Sequence, residues 1–278
     1  MEKPTADLPE IPPDRGDDLH NLEYLRDADL VLFMAGNQFM VMADLLAAFQ
    51  EEHPEVRRIF YETLPPGLEL RQILAGGAKF GDREIRVTPD VYTAVSVEAM
   101  KELAAKGFVD DHFVYLHNRI VLMVPEENRA NIRSVNDLAR EDVRVSQPGP
   151  LEDITRYIVE MYREAGGEPL VRRIMEEKRA AGTTILTVVH HRETPLRIKK
   201  GTVDVGPVWA TEVYQARREG LRVTAVEPGE QLDQRHKVNY YIAKLKNGRN
   251  PGNAGKFLEF IKSRTAQEIY RRYGFVPH

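Results

Sequence analysis

Several short stretches of this chain carry side chains suited to gripping a small charged ligand. Pro148-Gly149-Pro150-Leu151-Glu152-Asp153 follows the apolar run Val143–Ser146, and His190-His191-Arg192-Glu193 precedes Thr194-Pro195. Arg192 offers a planar guanidinium fork for a bidentate contact to an oxyanion or carboxylate. Glu152 and Glu193 with one histidine would instead form an oxygen and imidazole set suited to a hard or borderline cation. Adjacent residues on an extended chain face opposite ways, so only one of His190 and His191 can reach a shared site, and His191 is carried forward. Asn37, Gly67, Ser96 and Trp209 complete the candidates. Each has a structural alternative. Asn37 serves equally as a helix cap, Glu152 and Asp153 answer the dipole of a first helical turn, Arg192 can be a solvated charge, and Trp209 and the pair Tyr240-Tyr241 can be packing residues.

The elements that must position these residues alternate in type. Leu30-Val31-Leu32-Phe33-Met34 is a continuous apolar run, as expected of a strand buried on both faces, and ends in Ala35-Gly36-Asn37-Gln38. Met42, Leu45, Leu46 and Phe49 then repeat at the spacing of one buried helix face, closed by His53-Pro54. The same order recurs: strand 56–61, helix 68–74, strand 90–95, helix 97–106, strands 119–124 and 143–146, and a helix from Glu152 capped by Gly166-Gly167. Strands 185–189, 203–208 and 223–226, an extended run 236–245 and helices 251–263 and 266–273 follow. Thr194-Pro195 reads as an N-cap and first helical position, with Thr211 as a second cap. The proline-rich segment before Leu22 offers no apolar face and is expected to be an irregular arm. The pattern is that of a mixed, mostly parallel α/β protein.

Composition narrows the function. At 278 residues, with 42% hydrophobic and 29% charged side chains, the chain can fill one large or two ordinary domains. Its 39 Lys and Arg against 43 Asp and Glu give a net charge of −4, with no electrostatic footprint for nucleic acid or an anionic membrane. No cysteine is present, which excludes disulfides, thiolate metal sites and cysteine nucleophiles. No stretch approaches the roughly 18 apolar residues of a membrane span. Met1 to Asp18 lacks the basic start and apolar segment of a secretory signal, so the protein is either cytosolic or has had such a signal removed. The common nucleotide, metalloprotease, hydrolase and EF-hand signatures are missing, and no enzymatic apparatus is expected.

Taken in order, several fragments resemble type II periplasmic solute-binding proteins of ABC transporters, in their molybdate/tungstate-binding branch. They are Asp44–Pro54, Gln72-Ile73-Leu74-Ala75-Gly76-Gly77-Ala78 with Pro89-Asp90-Val91-Tyr92, Met100–Leu103, Asn118–Pro125, Gly201-Thr202-Val203-Asp204-Val205-Gly206, Asn250–Ile261 and Tyr273–Pro277. The likeness spans nearly everything after Asp29. It implies a two-lobed fold with crossing strands at a hinge, lobe 1 being 1–118 and 236–278 (an arm to about 21) and lobe 2 being 119–235. It further implies a ligand cleft, no enzymatic activity, no cofactor and no resident metal. The expected ligand is a small anionic solute of molybdate or tungstate type, and the expected partner is an ABC permease. A monomer in the periplasm or outside the cell, without nucleic acid, completes the expectation. Asn37, Gly67, Ser96, Glu152, Asp153, His191, Arg192, Glu193 and Trp209 are the implied ligand contacts. Family members place small hydroxyl residues where this chain has Asn37 and Gly67. Glu193 matches a carboxylate that completes metal coordination in archaeal-type members, with Glu152 or Asp153 as the second, and Trp209 matches a cleft-lining aromatic. The alternatives are a metal ion or chelate binder and a ligand sensor of the same fold. If Arg192 grips the ligand, Arg192→Ala weakens affinity in calorimetry; unchanged binding removes it from the site.

Overall fold

Alternating buried strands and one-sided helices build this protein along its whole length. The computed structural model describes residues 7–150, 152–187 and 193–278. In chain order the first elements are β1 (Leu19–His20), β2 (Leu30–Phe33), α1 (Met42–Glu52), β3 (Ile59–Glu62), α2 (Pro66–Ala75), β4 (Ala78–Phe80), β5 (Arg83–Ile85), β6 (Val91–Ala94), α3 (Val97–Ala105) and β7 (Phe113–His117). Next come β8 (Ile120–Pro125), β9 (Val145–Gln147), α4 (Asp153–Arg172), α5 (Lys178–Ala180), β10 (Thr184–Leu186), α6 (Glu193–Lys199), β11 (Gly206–Trp209), α7 (Ala210–Arg218) and β12 (Val223–Val226). The series ends with β13 (Asn239–Lys244), α8 (Pro251–Lys262) and α9 (Arg264–Arg272).

The chain divides into two units, 1–116 with 239–271 and 277–278, and 117–238 with 272–276. The first is built on a mixed sheet in the order β1-β3-β2-β6-β13-β7. Its centre is parallel, with β2 beside both β3 and β6, while β13 runs antiparallel against β6. β2 and β6 are buried at every residue, which suits their apolar sequences, broken only by Thr93. Phe33, Phe60, Tyr92, Met100 and Leu103 belong to the cluster that fills this unit.

Residues 7–21, the described part of the segment before Leu22, are seated and not a loose arm. Ile11 is 1% exposed, its N–H donates to the Lys79 carbonyl at 2.7 Å, and the Lys79 N–H returns a bond to Pro9 at 2.9 Å. Two apolar residues, Ile11 and Leu19, are enough to seat a proline-rich segment when the edge strand β4 supplies backbone partners.

In the second unit β9 and β10 pair in parallel, and β8 is flanked antiparallel by β11 and β12. Gly166 and Gly167 interrupt α4 with non-helical backbone, Gly167 at φ 68°, so the expected stop is a break after which helix resumes. Gly206 has no room for a side chain: a Cβ there would stand 2.5 Å from Thr194 Cγ2 and 2.8 Å from the Ser146 carbonyl. β11, α6 and β9 are thereby pressed together.

Asp90 closes the first unit. Fully buried, its carboxylate accepts the N–H of Val31 at 2.8 Å and of Asn250 at 2.7 Å, and the Asn250 side-chain amide at 3.1 Å. Asp90→Ala leaves those backbone donors without their partner, at a cost of about 1–3 kcal/mol for each. A fall of several degrees in the melting temperature is expected, and a shift under one degree in a calorimetric scan would refute the pinning role.

Candidate functional site

Open parallel sheets present ligands with the loops that leave the carboxyl ends of their strands. In the first unit these loops follow β2, β3 and β6. The β2 loop carries Gly36 and Asn37 and turns straight into a 3₁₀ segment, Gly36–Val41. A Cβ on Gly36 would meet the Thr63 carbonyl oxygen at 2.8 Å and that of Leu64 at 3.1 Å, so glycine lets the β2 and β3 loops lie backbone against backbone.

Asn37 is half-buried, and its side-chain amide donates to the Tyr240 hydroxyl while its Oδ1 stays buried without a hydrogen-bond partner. Beside it, Gln38 is fully buried and works as a hub. Its Oε1 accepts the hydroxyls of Tyr115 at 2.8 Å and Tyr270 at 2.9 Å, and its amide donates to Thr93 Oγ1 at 3.2 Å. Thr93 Oγ1 also accepts the Ala35 N–H at 2.7 Å. Burial pushes both phenols above the usual tyrosine range. Sequence reasoning passed over Gln38 because a lone glutamine after a strand looks like any polar loop residue.

Gly67 lies in the first turn of α2, exposed, with nothing within 4 Å of the place a side chain would take. Ser96 occupies the N-cap position of α3, yet its hydroxyl donates to the Glu98 carboxylate at 2.7 Å and makes no helix cap.

In the second unit the β9 loop is tied to itself. Glu152 Oε1 accepts the Gly149 N–H at 3.0 Å and the Thr187 hydroxyl, and Gly149 N–H also reaches Thr187 Oγ1 at 2.9 Å. Thr155 Oγ1 donates to the Gly149 carbonyl at 2.5 Å. A carboxylate of the chain itself therefore sits on a backbone donor at this strand-to-helix corner. Glu193, the first residue of α6, pairs with Arg197 at 2.7 Å. Arg197 in turn donates to the Ile185 and Leu186 carbonyls at 3.0 and 2.9 Å and to Ser146 Oγ at 3.1 Å, which holds α6 on the end of β10.

Two caps expected from sequence take other roles. α6 begins at Glu193, so Thr194 is inside it and meets Ser146 Oγ at 2.9 Å. Thr211 lies within α7 and accepts the Asn118 side-chain amide at 3.2 Å. Trp209 ends β11, is 2% exposed and packs on Tyr157 of α4 with ring centroids 5.9 Å apart. Asp153 opens α4, and its side chain, with all of His191 and Arg192, lies outside the described residues. Among the described residues no group of three or more His, Asp or Glu side chains is placed to hold a metal. Each of the two carboxylates of the cation alternative has its own partners: Glu152 on its loop, Glu193 on Arg197.

The fold built on these loops has solved counterparts. The chain aligns with the periplasmic molybdate-binding protein of Azotobacter vinelandii at 15% identity and TM-score 0.68, over 90% of this chain and 99% of that one. The sulfate-binding protein SubI of Mycobacterium tuberculosis gives 18% and 0.69, over 89% and 85%. Iron-bound HitA of Pseudomonas aeruginosa gives 17% and 0.68, again over 89% and 85%. At such identities the likeness establishes the periplasmic-binding-protein fold. No curated protein matches the sequence. A family model for bacterial extracellular solute-binding proteins matches residues 30–276, and the chain belongs to that family.

Proposed function

We propose that this protein captures a small anionic solute of oxyanion type outside the cytoplasm and hands it to an ABC permease. The observation that supports this best is the first unit's set of loops, in which Gly36 brings two loop backbones together and Gly67 leaves the start of α2 open to solvent. The first turn of a helix carries a partial positive charge that suits an anion even where hydroxyl side chains are lacking. In α2, where Pro66 has no N–H and those of Leu68 and Glu69 bond the Pro65 carbonyl, the donor on offer is the Gly67 N–H. The named ligands of the aligned proteins, molybdate and sulfate, are of this kind, and the iron of HitA marks a different chemistry on the same fold. No described helix is long and apolar enough to cross a membrane.

In the second unit Glu152 already answers the Gly149 N–H and the Thr187 hydroxyl, which sets a carboxylate at that corner. The loops of the first unit are the ones this reading assigns to the anion.

A thermal-shift screen of molybdate, tungstate, sulfate, phosphate and ferric citrate tests the reading. One oxyanion should stabilise the protein, by about 2.7 kcal/mol at a hundredfold excess over Kd. Gly67→Val places a side chain into open space, so the ligand-free melt should stay within about a degree while calorimetry shows affinity down tenfold or more. A ferric response without any oxyanion response would overturn the assignment, and full affinity in Gly67→Val would move the site off α2.

A further inference from the structure

Directly behind the β3–α2 loop lies an arrangement of acids that solute binding by itself does not require. Glu62, the last residue of β3, and Glu69 of α2 are both fully buried, and Gln72, one turn further along α2, is 1% exposed. Gln72 Nε2 donates to Glu62 Oε2 at 2.8 Å, and the Leu64 N–H donates to Glu69 Oε1 at 3.2 Å. The remaining oxygens, Glu62 Oε1, Glu69 Oε2 and Gln72 Oε1, are buried with no hydrogen-bond partner. Among the described residues neither glutamate is in an ion pair. Two unpaired buried carboxylates would cost several kcal/mol each, whereas a proton turns an orphan acceptor into a donor.

We propose that Glu62, Glu69 and Gln72 form a proton-binding site that holds at least one proton at neutral pH, and that its loss in alkali loosens the β3–α2 loop and lowers solute affinity. The coupling half of this proposal rests on that loop being part of the solute site. The route is short: Glu69 holds the Leu64 N–H, and the Thr63 and Leu64 carbonyls are the surface on which Gly36 rests.

The surroundings favour the proton. Burial raises the Glu62 carboxyl to about 8, and burial followed by the Glu62 charge raises Glu69 well above the carboxylate range. Asp18, ahead of β1, adds negative potential at Glu69 and is itself paired with Arg15 at 3.2 Å. His20 on β1 touches Thr63 Oγ1 at 3.3 Å and stacks on Tyr61; burial lowers its basicity against the opposing pull of Asp18 and Asp17. Tyr115 of β7 faces the Glu69 charge as a neutral phenol. A folded-state value above the unfolded one means that stability is fully present below about 4.5 and is lost as pH rises through about 8.

Infrared difference spectroscopy on the ligand-free protein reads the proton directly. A protonated-carboxyl band is expected at pH 6.5 that fades through about pH 8 and is diminished in Glu62→Gln and in Glu69→Gln. If Glu62→Gln does not fold, Glu69→Gln and the wild-type titration decide. With molybdate or whichever oxyanion the screen selects, wild-type affinity should fall by up to about tenfold per pH unit above the midpoint, and the profile should flatten in the glutamine variants. Absence of the band at pH 6.5 overturns the proposal, as does a stoichiometric sodium, potassium or calcium ion that survives dialysis and is lost in Glu62→Gln. A titrating band with a flat affinity profile removes the coupling. A titrating band without any oxyanion binding leaves the proton site standing and sinks the solute reading instead.

Discussion

One buried carboxylate ties together the two stretches of chain from which the first unit is built. That unit is assembled from two stretches of chain separated by more than a hundred residues, and Asp90 is where they are joined, accepting donors from Val31 on one stretch and Asn250 on the other. Closing so long an excursion costs chain entropy, though the cost grows only slowly with length. Gly248 has adapted to the same joint, since a Cβ there would lie 2.7 Å from Asp90 Oδ1. The strand order around β2 and β6, and with it the placement of every loop at their carboxyl ends, follows from that closure.

Much of this architecture was legible beforehand. Runs such as Leu30–Met34 and Asp90–Val95 announce strands buried on both faces because they are short, mostly apolar and bounded by turn residues. The spacing of Met42, Leu45, Leu46 and Phe49 is a helix face, and all four are buried as expected. The β4–β5 hairpin has no strand signature in sequence, as its short strands mix exposed Lys79, Arg83 and Glu84 with Ala78, Phe80 and Ile85. The seating of Ile11 was missed for a related reason: it depends on a partner almost seventy residues away, and local composition around four prolines says only that no helix or central strand will form there.

The polar interior was harder to read than the fold. Glu62 sits in Phe60-Tyr61-Glu62-Thr63, where burial of alternate positions would have flagged it, but a single glutamate at the end of an apolar run reads as the point where a strand surfaces. Gln38 and Thr93 are uninformative alone, and they matter because the fold brings two tyrosine hydroxyls to the same amide. Glu152 is a different case. Its position at a strand-to-helix corner suggests a ligand contact, and in the fold its Oε1 satisfies its own loop through Gly149 and Thr187. Such hydrogen-bond closure links residues far apart in the chain, so local sequence does not reveal it.

The interleaving of the first unit also bears on how the polypeptide matures. β13 fills the place between β6 and β7, yet it is made only after the whole intervening unit, so a growing chain must wait with that slot vacant until residue 244 has emerged. Until then β6 has an open flank and the Asp90 carboxylate lacks its Asn250 donors. Contacts so remote along the chain are slow to form. A newly synthesised chain therefore stays unlocked until one late pairing secures it.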